Sequence, residues 1–142
     1  MLAEILSSDA DVTIVDMEAG LEHLTRSGGT LQSVDHLLVM IEPYAKAVET
    51  ARRTATLARE LGIGHVAGVA SKVRDAEDRA IVDRVSAEAD LPLLAVLPYD
   101  DSVRLADREG RSPVDVAPDS PLVRAVSELA YRMEPAVRLE QA

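Results

Sequence analysis

A chain of 142 residues suits one domain, which at this size buries roughly 70% of the surface its unfolded form exposes. With 47% hydrophobic residues but no Trp, no Phe and three Tyr, its core must be aliphatic, and a net charge of −10 argues against a nucleic-acid surface, which needs clustered Lys and Arg. The absence of cysteine excludes disulfides and thiolate metal sites, and His23, His36 and His65 are too few for a histidine-rich centre, so any metal is expected on carboxylates, hydroxyls or phosphates.

The chain opens with "MLAEILSS", where Leu2, Ile5 and Leu6 share a helical face over too short a span to stand alone, so residues 1–10 read as part of a longer helix. Four apolar runs follow: "DVTIVD" (11–16), "HLLVMIE" (36–42), "HVAGVAS" (65–71) and "PLLAVLP" (92–98). Three are continuous rather than alternating, as strands buried on both faces should be. Between the second and third, Val48, Ala51, Ala55, Ala58 and Leu61 recur at helical spacing, Glu49 and Arg53 are set for an i,i+4 pair, and Gly62 suits a left-handed cap. Residues 76–89 repeat this with Ile81, Val82, Val85 and Ala89, and Asp75 is placed to cap them. A short helix fits from Ser102 to Glu109, closed by Gly110. The last helix starts at Ser120-Pro121 with an apolar stripe of Leu122, Val126, Leu129 and Met133, and Pro135 is expected to stop it, leaving 135–142 as a tail. Strand and helix alternation predicts one α/β domain, residues 1–142, with three layers: a mainly parallel sheet of about four strands flanked by helices.

In such a sheet, ligands gather outside the carboxyl ends of the strands, here Asp16 to Gly20, Glu42 to Tyr44, Ala70 to Val73 and Leu97 to Asp101. A buried strand ending in Asp, as "VTIVD" does, is the Walker B pattern, in which the carboxylate orients Mg²⁺ through its hydration shell. Strand-terminal Asp residues also cap loops, and those residues alone favour the cap. Glu18 reads equally as a water-positioning group or an exposed loop acid. His23 and Arg26 read as solvated or intersubunit residues rather than metal ligands.

As a unit, "DMEAGLEHLTR" (16–26) followed by "HLLVMIEP" resembles the CooC-type ATPases of carbon monoxide dehydrogenase maturation, which stand with MinD and ParA among the deviant P-loop NTPases. Supporting blocks are "EPYAKAVETARRTATLARELGI", "VASKV" and "LPYDDSVRLADREGRSP", so the resemblance covers almost the whole chain. It implies that Asp16 is the Walker B carboxylate, acting on Mg²⁺ through water when nucleotide is bound, and that Gly20 lies in the loop sensing the γ-phosphate, where a backbone N–H approaches phosphate closely without a side chain. It implies ATP or ADP with Mg²⁺ as cofactor. The family reads adenine through an Asn-Lys pair after the third strand; here Ser71-Lys72 stands in that place, and serine offers one hydroxyl where Asn offers donor and acceptor together. Pro98, Tyr99 and Asp100 match the loop that covers the base, though "PYDD" is also good turn chemistry.

The family's opening strand and glycine-rich Lys-Thr loop have no counterpart in these residues; "RSGGTLQS" (26–33) lacks the Lys and a preceding strand. The family's Cys-x-Cys pair is also missing. The chain therefore reads as the C-terminal half of such an ATPase, an incomplete P-loop NTPase fold, starting in the helix before the Walker B strand. A nickel-metallocentre maturation role is implied, with negligible hydrolysis by the chain alone because phosphate cradling supplies most of the catalysis. The rival reading is a non-catalytic interaction or regulatory module on the same scaffold, pairing with itself or a full-length ATPase. Expected partners are a second copy, a partner ATPase or a client metalloenzyme, with no nucleic acid. No apolar run approaches the ~18 residues of a membrane span and no signal peptide opens the chain, so a cytoplasmic protein without membrane contact is expected. In the family the P-loop strand separates the Walker B strand from the next, so "VTIVD" is expected to pair directly with "LLVMI", with self-association.

Overall fold

A computed structural model of the chain describes residues 12–17 and 34–139. The three apolar runs after residue 35 form strands β1 (His36–Ile41), β2 (His65–Val73) and β3 (Leu93–Pro98). Helices α1 (Ala45–Glu60) and α2 (Ala76–Glu88) connect them, and α3 (Asp101–Glu109), α4 (Pro113–Val116) and α5 (Pro121–Leu139) follow. The sheet has the order β1-β2-β3, with both pairings parallel. β1 and β2 run in unbroken register from His36 opposite His65 to Ile41 opposite Ala70. Such neighbours need long crossovers, and the amphipathic helices α1 and α2 supply them.

One face of the sheet carries the main core: Val39, Ile41 and Ala70 from the strands, Ala51 and Ala55 from α1, Val82 and Val85 from α2, and Leu91 before β3. Alanines on the inner face of α1 let its backbone approach the sheet closely. Gly68 does the same within β2, since a Cβ there would sit 3.0 Å from both Ile41 Cδ1 and Leu93 Cδ2. α5 packs against β3 outside that core, and Arg132 donates to the Leu94 carbonyl at 2.7 Å.

The expected caps are present. Asp75 accepts from the Asp78 N–H at 2.9 Å, and Ser120 from the Val123 N–H at 3.3 Å. Three helices end in the same way, with a left-handed residue followed by an N–H that reaches back five residues: Ile63 to Ala58, Leu91 to Ser86 and Arg111 to Ala106. The left-handed positions are Gly62, Asp90 and Gly110. Gly110, at φ 62° with open space around it, is favoured for backbone reasons alone. Gly110→Ala should therefore cost about 1 kcal/mol in urea melts without disturbing any packing.

Several expectations change. Among the described residues the sheet has three strands, not four, and residues 12–17 pair with none of them. Ile14 is 89% exposed, and Met40, on the face of β1 away from α1, is 53% exposed. A segment apolar on both faces gains little by joining an edge that the described residues cover on one side only. Direct pairing of "VTIVD" with "LLVMI" is thus not formed. Helix α5 passes through Pro135 to Leu139, because near a helix end the missing N–H and the clash four residues back disturb only the final turns. Its stripe is rotated from the expected one: Val123 is buried and Val126 is 45% exposed. Glu49 pairs with Arg52 at 3.8 Å instead of Arg53, an exposed contact of little energetic weight. A further turn of helix, α4, is capped by the Ser112 hydroxyl on the Val114 N–H at 3.3 Å. Residues 1–10, Glu18, Gly20, His23, Arg26, the "RSGGTLQS" segment and the last three residues lie outside the described residues.

Candidate nucleotide site at the strand ends

The carboxyl ends of three parallel strands converge on one edge of the domain, and the chain places charged and aromatic side chains there. Glu42 and Tyr44 leave β1, Ser71 to Arg74 end β2, and Pro98 to Asp100 leave β3. The β2–β3 ladder slips between Ala70 and Val73, and within that irregularity Lys72 adopts φ 59°. A left-handed backbone costs a side-chain-bearing residue roughly 1–2 kcal/mol. It turns Lys72 so that Nζ meets the Glu42 carboxylate at 2.5 Å, across the ends of two strands. Both side chains are partly exposed, so this pair returns no more than about 1 kcal/mol.

Arg74 is held by two rings. Its Nη1 donates to the Tyr44 hydroxyl at 2.7 Å, and its guanidinium carbon lies 4.3 Å from the centroid of the Tyr99 ring. The Tyr44 hydrogen bond comes first among the causes that raise its already high pKa, so Arg74 is a permanent cation. The Tyr99 N–H donates to the Val73 carbonyl at 2.9 Å, continuing the sheet one residue past β3. These bonds join the loops after β1, β2 and β3 into one surface.

Asp100 fixes the far side. Its Oδ1 accepts the Ser102 N–H at 2.9 Å, starting α3, and its Oδ2 accepts the Leu122 N–H at 3.2 Å, at the start of α5. The Ser102 side chain and N–H, then Leu122 and Ser120, pull the carboxyl down from the usual range to about 2 against an opposing cost of burial. Ser102 Oγ is itself buried without a partner of hydrogen-bond geometry, so the backbone N–H bonds carry this effect. Beside Pro98, the cleft between the strand ends and α5 has a volume of about 430 Å³ and is lined by Val73, Val96, Pro121, Arg124, Ala125 and Glu128.

Ser71, Lys72, Pro98, Tyr99 and Asp100 are thus brought together at one end of the sheet. Asp16 is not among them. Its neighbour Met17 packs on the small cluster of Ala58 and Ile63, with Val34, Leu37 and Val66, at the amino ends of β1 and β2. At ~3.3 Å per residue, the length of β1 separates that end from Glu42 by roughly 15–20 Å. Of the residues that organise the surface, Tyr44 falls within a strand end named from the sequence but without a role, and Arg74 was missed. Its one signal is alternation at a strand end, with Lys72 and Arg74 two residues apart.

A three-stranded parallel sheet flanked by helices, with its polar residues gathered at the carboxyl ends, defines the class: the fold is that of the MinD-type P-loop NTPases. The MinD protein of Pyrococcus horikoshii, solved with Mg-ADP, superposes over 94% of this chain and 55% of its own length with a TM-score of 0.73 at 22% identity. By sequence the chain is similar to CooC-type proteins. It is 36% identical over 119 residues to the carbon monoxide dehydrogenase accessory protein CooC of Rhodospirillum rubrum, covering 83% of this chain and 43% of the relative. It is also 33% identical over 129 residues to an uncharacterized ATP-binding protein of Methanocaldococcus jannaschii, covering 91% of this chain and 48% of that one. The chain spans about half the length of these relatives. No family model matches it. Among the described residues no helix is long and apolar enough to cross a membrane.

Proposed function

We propose that this chain is the base-side half of a CooC-like nucleotide module, serving as an accessory in metallocentre maturation in the cytoplasm. What supports the reading is the strand-end surface: Lys72 and Arg74 as cations, with Pro98, Tyr99 and Asp100 on the loop beside them. These residues fit one end of a nucleotide. A Tyr ring and a guanidinium suit a planar base, an ammonium suits an anion, and Ser71 offers a single hydroxyl that discriminates weakly between purines.

Among the described residues nothing builds a cradle of N–H groups for the phosphate chain. Bound Mg²⁺ would neutralise phosphate charge. The resemblance makes Asp16 the candidate carboxylate for it, with Glu18 to place water and Gly20 to approach the γ-phosphate. Because Met17 packs at the amino ends of β1 and β2, Asp16 could take that role only if its segment moved to the strand ends. Without the cradle the chain is expected to bind Mg-ATP weakly and not to hydrolyse it. Calorimetric titration with Mg-ATP, paired with a phosphate-release assay, checks this. The expected dissociation constant is above roughly 100 μM with no turnover, because few preorganised contacts remain to offset the loss of freedom on binding. A micromolar constant with steady turnover would falsify the reading.

A second reading, an interaction module that pairs with itself or a full-length ATPase, is favoured by the exposed Ile14 and by the exposed Met40 on β1, a strand that among the described residues is paired along one edge. Light scattering across concentration addresses it, and a clean monomer at high concentration counts against self-association.

A further inference from the structure

The contact between Glu42 and Lys72 is not explained by the fold. Neither residue is buried, yet Lys72 adopts a left-handed backbone inside a slipped register to reach the carboxylate at 2.5 Å. Strain of this kind persists where the surroundings hold it, and here the partner is a single anion one strand away. Lys72 and Glu42 keep side-chain exposures of 52% and 33%, so an arriving ligand can reach both groups without disturbing the core. Arg74, by contrast, is tied to the Tyr44 hydroxyl and the Tyr99 ring. Lys72 is the cation at these strand ends whose counter-ion is weakly held and open to exchange.

A carboxylate oxygen and a phosphate oxygen make the same charge-assisted bond to an ammonium. We propose that Glu42 is an internal stand-in for a ligand's anion, holding Lys72 in place in the resting chain and displaced when a phosphate-bearing nucleotide engages Nζ. This rests on the nucleotide reading above and adds a competitor to it. Because strain and ion pair are of similar size, the exchange is close to balanced, and a ligand needs only a modest preference for the released ammonium to drive it.

The test is an NMR titration of the ¹³C,¹⁵N-labelled full chain at low salt with two probes, Mg-ATP and inorganic tripolyphosphate. E42Q keeps the shape of Glu42 and removes its charge. It should tighten binding of both probes by roughly three- to tenfold, a gain that shrinks as added salt screens the exposed charges. E77Q removes the exposed carboxylate of Glu77 in the first turn of α2 and should change affinity by less than about twofold, the size of a general charge effect. K72M should lose the tripolyphosphate response, and E42Q added to K72M should gain nothing. In the unaltered chain, the Glu42 side-chain carboxyl ¹³C resonance should move together with the Lys72 amide as either probe is added, a readout that does not depend on any variant folding. If the unaltered chain binds ATP at the strand ends while E42Q matches E77Q, or while the Glu42 carboxyl stays still, the stand-in role is overturned and nucleotide binding survives. If neither probe perturbs the strand ends at millimolar concentration, nucleotide binding falls and this inference falls with it.

Discussion

Asp100→Ala should destabilise the domain by about 2 kcal/mol, more than any other change at the strand ends, because one carboxylate starts two helices. Its two oxygens accept the Ser102 and Leu122 N–H groups, so both α3 and α5 lose an N-terminal acceptor at once. The pH dependence has a fixed sign. The folded carboxyl is held at about 2, below its unfolded value of 3.8, so its stabilisation is complete above the unfolded value and drains away as the pH falls towards 2. Urea melts of the two proteins should differ by the full amount at pH 6 and converge between pH 4 and pH 2. A gap that persists unchanged at pH 2 rules out the carboxylate as the cause. Because the cap sits on the loop that carries Pro98 and Tyr99, the same substitution should also loosen the surface around Arg74.

Asp100 marks where sequence reasoning reached its limit. Local chemistry was legible: Asp75 and Ser120 as caps, Gly62 and Gly110 as left-handed ends, and the apolar spacing of residues 45–61 each depend on neighbours within a turn. Asp100 looked like a turn residue and matched the family's base loop, and its bond to Leu122, 22 positions away, leaves no periodic trace. The same holds for Arg74 on Tyr44 and Tyr99, and for Lys72 on Glu42, 30 residues apart in sequence and adjacent only once β1 and β2 pair. Residues 12–17 fail in the other direction. Their apolar run states a preference for a strand, but a strand also needs a neighbour's backbone and cover on both faces, and a single segment cannot encode either. The positive φ of Lys72 breaks the local preference outright, as residues at ligand-facing strand ends do when tertiary contacts decide their conformation.

The core gives the largest expected loss. Leu91 is fully buried and does two jobs: its N–H closes the end of α2 on the Ser86 carbonyl, and its side chain fills the space between that helix and the sheet. Leu91→Ala keeps the backbone bond and empties the space, so it should cost about 3 kcal/mol and lower the melting temperature by roughly 10 °C. What borders the space makes the effect specific. Gly68 lies against it, and a Cβ there would meet Ile41 Cδ1 and Leu93 Cδ2 at 3.0 Å and Leu91 Cδ2 at 3.5 Å. In the intact chain Gly68→Ala should therefore cost about 1–2 kcal/mol through overpacking. Once Leu91 is shortened, the leucine and isoleucine ends can give way into the vacated volume, and the added methyl fills part of it. The double variant should consequently be more stable than the sum of the single losses by about 1 kcal/mol, a coupling read directly from a double-mutant cycle in urea. Strict additivity would mean that the side chains crowding Gly68 relax elsewhere, and that the junction of α2 with the sheet is not the packing centre that Leu91, Ile41 and Val82 make it here.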